Sequence, residues 1–597
     1  MTAYDPPLDE MRFVINELAG LEDVAALPGL EDVTPELVDS ILEEAGKLGA
    51  EILAPINQSG DEQGSVLENG VVRTPDGFRD AYRQFIDGGW NGMPFDPEYG
   101  GQGLPWLVAT AATEIWHSAN MAFMLCPLLT QAGIELLINH GSDELRAIYL
   151  EKLVSGVWSG TMNLTEPQAG SDLARVRCRA DKDGDVYRLS GTKIFITYGE
   201  HDMAENIIHM VLARTPDAPT GVKGLSLFVV PKFVVKEDGS LGERNDLRCV
   251  SIEHKLGIRA SPTAVMSYGD NDGAVGYLVG EENHGIEYMF TMMNNARLAV
   301  GLEGVAIGER AFQGARAYAR ERIQSRKSGS GSPDAVAIIE HPDVKRMLLS
   351  MRSQTEATRA VAYIVAGQLD TAKRHPDPDM RRQAQALVDL LVPVVKAWSA
   401  DVGIAVADMG IQVHGGMGFI EETGAAQHLR DARIAAIYEG TNGIQANDLV
   451  GRKVARDEGA AAAAFIAMVR DITAEAATVS SGGVKELAEA LNEGVDALEE
   501  ATHWVVSTSS KNADAIAAGA IPYLRLLSLV AGGWAMTRAA IIANSKIAAE
   551  TGDKAFYRNK IVTARFFSDH LLVEAPTLSR IVTRGSNSIC EIEPDHL

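Results

Sequence analysis

The chain has 597 residues, 46% hydrophobic and 23% charged, which excludes a disordered or fibrous chain and, at ~150 residues per domain, implies two to four structural units. Its 54 Lys and Arg against 81 Asp and Glu leave a net charge of −27, a field that repels phosphate backbones and anionic lipid and argues against a nucleic-acid partner. The four cysteines, Cys126, Cys178, Cys249 and Cys590, show no CxxC spacing, so neither a disulfide framework nor a zinc knuckle is expected, and a reducing cytosol fits.

In chain order, MTAYDPPLDE lacks a basic region followed by an apolar stretch, and no uninterrupted apolar run approaches the ~18 residues of a membrane span. A cytoplasmic protein without a membrane span is the expectation. From Pro35 to Ile56 apolar residues fall at steps of three and four behind Thr34, a candidate N-cap, which predicts an amphipathic helix. Pro97 to Leu104 reads as a glycine-rich loop and Leu107 to His140 as helix, so residues 1–160 form an N-terminal α-helical domain. After Trp158 the texture alternates. DVYRLSGTKIFIT, NIIHMVLART, GLSLFVVPKFVV and LRCVSIEHKLGI are β-rich runs between Gly, Pro and Asp clusters, which predicts an antiparallel middle β-domain over 161–283.

From Gly285 the helical period returns in one very long helix, with a break expected near a glycine. The linker Ser328-Gly329-Ser330-Gly331-Ser332-Pro333 separates it from further helices, and residues 284–457 are read as an α-helical bundle domain. An Ala-rich stretch then opens a C-terminal helical extension, 458–597. Its runs IPYLRLLSLVAGGWAMTRAAIIA and RFFSDHLLVEAPTLSRIV are read as inter-helix core in preference to a membrane-facing surface, because Arg and Asp punctuate them. The fold class is α+β.

There is no GxxxxGK[ST], HExxH or GxSxG, and no GxGxxG after a strand. Nucleotide triphosphates, zinc and serine hydrolysis therefore lose their simplest support, and no metal is expected. Four segments remain. Asn163-Leu164-Thr165-Glu166-Pro167-Gln168-Ala169-Gly170-Ser171-Asp172 reads alone as a domain-joining loop, whose hydroxyls and bare amides could also grip a polar ring edge. In Lys193-Ile194-Phe195-Ile196-Thr197, strand alternation sends Phe195 and Thr197 to one face, as core or as an aromatic wall and hydroxyl for a planar cofactor. The others are Gln412-Val413-His414-Gly415-Gly416-Met417-Gly418-Phe419 and Ile437-Tyr438-Glu439-Gly440-Thr441-Asn442.

The order TEPxAGSD, a strand with [FW]IT, a long helix ending ARER, QxxGGxGF and IYEGT strongly resembles the acyl-CoA dehydrogenase flavoprotein family, over roughly Pro35 to Lys453. The resemblance implies the acyl-CoA dehydrogenase fold, a helical domain, a β-domain and a helical bundle, with FAD as cofactor. It implies that Leu164, Thr165, Gly170 and Ser171 line the flavin edge and diphosphate. Phe195, where the family more often has Trp, would pack on the ring, and Thr197 would bond near its reactive nitrogen. Arg322 and Gln324 match an RxQ that reaches FAD across a subunit boundary, although the usual Phe-Gly after it is Ser325-Arg326 here. Gln412, Gly415 and Gly416 would cradle the diphosphate of a neighbouring subunit's FAD, and Thr441 would complete the shell.

The resemblance makes Glu439 the catalytic base. Two branches of the family place the base on the long helix immediately before an Arg. That position is Ala296, before Arg297, and an alanine cannot accept a proton. Ser171, Asn294, Arg297, Tyr438 and Gly440 are the implied substrate contacts. The C-terminal extension resembles the extended subgroup that includes 3-methylmercaptopropionyl-CoA dehydrogenase and broad-range bacterial dehydrogenases. The expected activity is α,β-dehydrogenation of an acyl-CoA, 3-methylmercaptopropionyl-CoA or a fatty acyl-CoA as in β-oxidation, to trans-2-enoyl-CoA. Electrons would pass to an electron-transfer flavoprotein, and the assembly would be a homo-oligomer, most simply a two-fold dimer. The rival readings are an acyl-CoA oxidase using oxygen and a catalytically silent flavin-binding scaffold.

Overall fold

The computed structural model describes residues 3–329, 331, 333–479 and 483–597; Ser330 and Ser332 of the expected linker lie outside them. Contacts divide the chain into two compact units. One is Glu44–Leu104 with Ile115–Ala299, and the other is Met1–Glu43, Pro105–Glu114 and Val300–Leu597.

The first unit is built on eight strands: β1 (Trp158–Asn163), β2 (Arg179–Asp183), β3 (Val186–Thr197), β4 (Asn206–Ala213), β5 (Ser226–Pro231), β6 (Leu247–Ile252), β7 (Thr263–Tyr268) and β8 (Ala274–Val279). They run in the order β6-β7-β3-β8-β5-β4-β1, with β2 also paired to β3. β4 and β5 are buried along their whole lengths, which is why NIIHMVLA and SLFVVP are nearly continuous apolar runs. The wholly antiparallel expectation is corrected at one edge, where β1 and β4 pair in parallel from Trp158↔Asn206 to Asn163↔Val211. The chain builds β2 and β3 between them, so no hairpin constrains their relative direction.

β3 also departs from simple alternation. Ala264 faces Ile196 and Met266 faces Lys193, so Ile194 and Phe195 together oppose Val265. This bulge carries Phe195 at φ +60°, and beside it Lys193 is buried while Phe195 is 58% exposed. Buried Ile196 lies in sequence between the exposed Phe195 and the half-buried Thr197.

Among the helices, Thr34 Oγ1 accepts from Leu37 N at 3.2 Å, the expected cap. The helix it starts is segmented as Pro35–Lys47, a π-helical turn Leu48–Leu53 and Pro55–Gln63. Helix α1 (Trp106–His140) is kinked at Asn120, whose φ −158° and ψ 90° are non-helical. Its Oδ1 restarts the helix by accepting from Phe123 N at 3.1 Å. Helix α2 (Gly285–Glu321) runs its 37 residues without the expected break. Its glycines serve close packing instead, since a Cβ on Gly304 would collide with the Ser399 carbonyl.

The second unit contains α3 (Pro342–Arg374), α4 (Pro378–His414), α5 (Asn442–Asp448), α6 (Ala460–Thr478), α7 (Val484–Ser509), α8 (Ala520–Ala548), α9 (Lys554–His570) and α10 (Ala575–Arg584). A short hairpin, Ile323–Arg326 with Ala335–Ala337, flanks the expected linker. The interior is tied by buried charge: Arg359 bonds Glu114 at 2.7 Å and Glu309 at 2.8 Å. Residues 458–597 share this unit with the bundle. Lys560 on α9 donates to Glu10 at 2.7 Å and to Glu356 at 2.8 Å, and a Cβ on Gly532 of α8 would strike Trp398 and Phe567.

Among the described residues three helices, α1, Pro378–Phe419 and α8, are long and apolar enough to cross a membrane by length and composition. Each has 83% of its most apolar window buried inside the protein. They contain no long uninterrupted apolar run, because scattered Gly, Ser, Thr and single charges break a run without lowering average hydropathy much.

Candidate active site

In the first unit the TEP segment leaves the end of β1 and is stitched to β3. Ile194 N donates to Thr165 O at 2.9 Å, and Glu166 and Ala169 exchange backbone bonds of 3.0 and 2.9 Å. Glu166, 3% exposed, accepts from Arg177 N at 2.7 Å, Cys178 N at 2.9 Å and Lys193 Nζ at 2.8 Å. Lys193 also donates to Leu164 O at 3.0 Å. Burial pushes the Glu166 carboxyl up, but Lys193 and the two amides outweigh it and hold the group below the usual carboxylate range.

Leu164 and Thr165 are thereby fixed, half-buried, on a loop tied to the strand that carries Phe195. Gly170 and Ser171 are exposed, and a Cβ on Gly170 would meet nothing within 4 Å. An exposed aromatic ring on strained backbone, hydroxyl residues and an open glycine suit a planar ring with polar edges, which is what a flavin presents. On α2, Arg297 is buried and donates to the exposed Asn294 at 3.2 Å, and Ala296 is buried.

In the second unit, Tyr438, Glu439, Gly440 and Thr441 form a half-buried loop before α5. Glu439 and Gly440 both have positive φ, +54° and +85°. Gln445 Nε2 donates to Glu439 O at 3.1 Å, and Lys396 Nζ donates to Gly440 O at 2.7 Å. Thr441 caps α5, its Oγ1 accepting from Ile444 N at 3.2 Å. Tyr438 rests on a small cluster of Val300, Ala400 and Ala435.

At the C-terminal end of α4, Gln412, Gly415 and Gly416 are exposed, and Gly415, at φ +60°, turns the chain. A Cβ on either glycine would meet nothing within 4 Å, so a flat or anionic group can come up to the backbone. A cavity of about 350 Å³ opens beside them, lined by Tyr318, Glu321, His414, Met417, Glu422 and His428 among others. The His414 and Tyr318 rings lie 4.6 Å apart, and burial lowers His428 to about 3, so it is neutral. Arg322 and Gln324 are exposed at the start of the short hairpin, with the Gln324 carbonyl bonded to His341 Nε2 at 2.8 Å.

Four buried ionisable residues bonded at these loops are not marked as functional groups by the motifs: Glu166 and Lys193, which bond each other, Glu303, which accepts from the Tyr438 hydroxyl, and Lys396. The last two leave a trace in the sequence, each a single charge inside an otherwise apolar helical run, VGLEGVA and LLVPVVKAW.

Comparison with known proteins gives matches along almost the whole chain. The description "Acyl-CoA dehydrogenase, N-terminal domain" matches residues 39–157 and "Acyl-CoA dehydrogenase, middle domain" residues 161–270. "Acyl-CoA dehydrogenase, C-terminal domain" matches 283–454 and "Acetyl-CoA dehydrogenase C-terminal like" 465–593. The chain is 50% identical to a 3-methylmercaptopropionyl-CoA dehydrogenase of Ruegeria pomeroyi over 98% of its own length and 99% of the relative's. It is 33% identical to a butyryl-CoA dehydrogenase of Syntrophomonas wolfei, covering 94% and 93%. A solved acyl-CoA dehydrogenase of Bacillus anthracis, complexed with FAD, shares the fold with a TM-score of 0.73 at 20% identity, covering 96% of this chain and 91% of that one.

Proposed function

Because the chain belongs to the acyl-CoA dehydrogenase family, we propose that it oxidises the Cα–Cβ bond of an acyl-CoA thioester to a trans-2-enoyl-CoA, with FAD as cofactor and Glu439 as the base. The observation that carries this reading is the Glu439–Gly440 loop, where a carboxylate sits at positive φ with its own and the next carbonyl held by side chains. Glu439 takes the α-proton, which the thioester makes acidic. Bound FAD supplies the acceptor for the β-hydride. The backbone N–H of Glu439 donates to the thioester oxygen, so one residue both removes the proton and stabilises the resulting enolate.

Leu164, Thr165, Gly170, Ser171, Phe195 and Thr197 hold the flavin end of the cofactor. Arg322, Gln324, Gln412, Gly415 and Gly416 hold the FAD of a second subunit in a two-fold dimer, and Thr441 closes the shell. Ser171, Asn294, Arg297, Tyr438 and Gly440 contact acyl-CoA. The 50% identical relative makes 3-methylmercaptopropionyl-CoA the first substrate to try and the 33% identical one makes butyryl-CoA the second. The division into 1–160, 161–283, 284–457 and 458–597, a cytoplasmic location, a place in fatty acid β-oxidation and an electron-transfer flavoprotein as acceptor belong to the same proposal.

The test is anaerobic mixing of the FAD-loaded protein with each acyl-CoA while flavin absorbance is followed. Bleaching by one of them, with a trans-2-enoyl-CoA as product, is the expected result. Failure of every acyl-CoA to bleach the flavin would overturn the proposal.

A further inference from the structure

The Tyr438 hydroxyl donates to Glu303 Oε2 at 2.5 Å. Glu303 is completely buried on α2, next to the Gly304 that lets this helix meet the Ser399 carbonyl of α4. Its other oxygen, Oε1, is buried with no hydrogen-bond partner. From α4 the completely buried Lys396 donates to Gly440 O at 2.7 Å and to Asn442 Oδ1 at 3.3 Å. The residues before and after Glu439 are thus each gripped by a buried ionisable side chain, from two different helices. An apolar side chain of similar size would avoid the desolvation penalty of a buried carboxyl with one oxygen unpartnered, so stability does not account for Glu303. Between them Glu439 keeps φ +54°, which a non-glycine residue holds only where its surroundings over-determine it.

We propose that Glu303 is a positioning residue for the base: acting through Tyr438, with Lys396 gripping the other side, it holds Glu439–Gly440 in the left-handed conformation from which the carboxylate works. This rests on the reading of Glu439 as the base. The ionisable groups facing Glu303 are Tyr438 and Glu439 from the loop and Lys396 from α4. Burial pushes the Glu303 carboxyl up to about 8; the Tyr438 bond and Lys396 pull it down and Glu439 pushes it up. Near pH 7 it is mostly protonated, so it adds little negative charge beside Glu439. Above about pH 8 a second negative charge develops beside the base.

The experiment uses FAD-loaded parent, Glu303→Gln, Glu303→Leu and Glu439→Gln proteins. It reads the anaerobic flavin-reduction rate at saturating acyl-CoA from pH 6 to 9.5, and hydrogen–deuterium exchange of residues 437–443 without substrate. Glu303→Leu should slow reduction by about tenfold or more, with substrate affinity changed far less, and raise exchange in 437–443 several-fold. Glu303→Gln keeps an acceptor for Tyr438, so it should recover much of the rate lost in the Leu variant and lose the inflection near pH 8. Should Glu303→Leu fail to fold, Tyr438→Phe removes the same hydrogen bond and should raise the same exchange. Parental exchange in 437–443 in these variants would overturn the proposal, as would a glutamine variant no faster than the leucine one or an inflection that survives Glu303→Gln. Parental reduction by Glu439→Gln would instead remove the base assignment, while the exchange result judges the positioning role by itself.

Discussion

Two loops, one in each compact unit, carry candidate site residues, and they are held by different physics. Leu164–Glu166 is fixed by an ion pair between Glu166 and Lys193 in which the carboxylate also accepts two amides, so charge meets charge at full hydrogen bonding. Tyr438–Thr441 is fixed by an ammonium on a carbonyl and by a carboxyl that burial keeps protonated near neutral pH. The first arrangement suits a wall that must stay put beside a cofactor. The second would keep negative charge away from Glu439, the carboxylate proposed to accept a proton.

The sharpest break in this comparison is at Glu439. Glu439→Gln keeps the shape of the side chain but cannot take a proton, so flavin reduction by substrate should fall by about 10²–10⁴-fold with FAD still bound. Rapid-mixing absorbance checks this, and a near-parental rate would leave the second loop without a catalytic purpose.

Next in size is the difference between the two lysines. Lys193→Met strands Glu166 in a buried site and should lower unfolding stability by about 3–5 kcal/mol. Lys396→Met strands carbonyls and should lower it by about 1–3 kcal/mol. Denaturant titration of both variants ranks them, and equal losses would show that the loops are held alike.

Their pH responses should be opposite. Glu166 is held below its ordinary range in the fold, so its contribution is present above the unfolded carboxylate pKa and is lost as pH falls through the folded value. Glu303 is raised to about 8, so its contribution is present below the unfolded carboxylate pKa and is lost as pH rises towards and through about 8. Glu303→Gln should therefore raise the melting temperature, relative to the parent, more at pH 9 than at pH 5. A constant difference across that range would mean that Glu303 does not titrate in the fold.

The smallest effect is at Thr441, whose hydroxyl caps the seven-residue α5. Thr441→Ala should cost about 0.5–2 kcal/mol from the lost cap. A fall in FAD content well beyond that of an equally destabilised variant elsewhere would show that the hydroxyl also serves the cofactor.

Much of this was legible in the residues. The switch from helical to alternating periodicity near Trp158 and back at Gly285 marks the β-domain, because which face is buried imposes its period on the sequence. The Thr34 cap follows from a local bond between neighbours. The ordered motifs carry the family, and alanine at 296 leaves Glu439 as the carboxylate to propose.

What only the tertiary structure decided depends on residues far apart in the chain. The parallel pairing of β1 and β4 joins segments separated by two intervening strands, and the bulge at Phe195 exists because β7 offers one residue opposite two. Lys193 looks like an exposed strand lysine until Glu166, 27 residues earlier, is brought to 2.8 Å from it. Glu303 and Tyr438 are 135 residues apart, and no spacing rule pairs them. Periodicity records which face is buried, whereas the partner a buried charge finds there is set by helix packing, and that partner determines whether the group is charged.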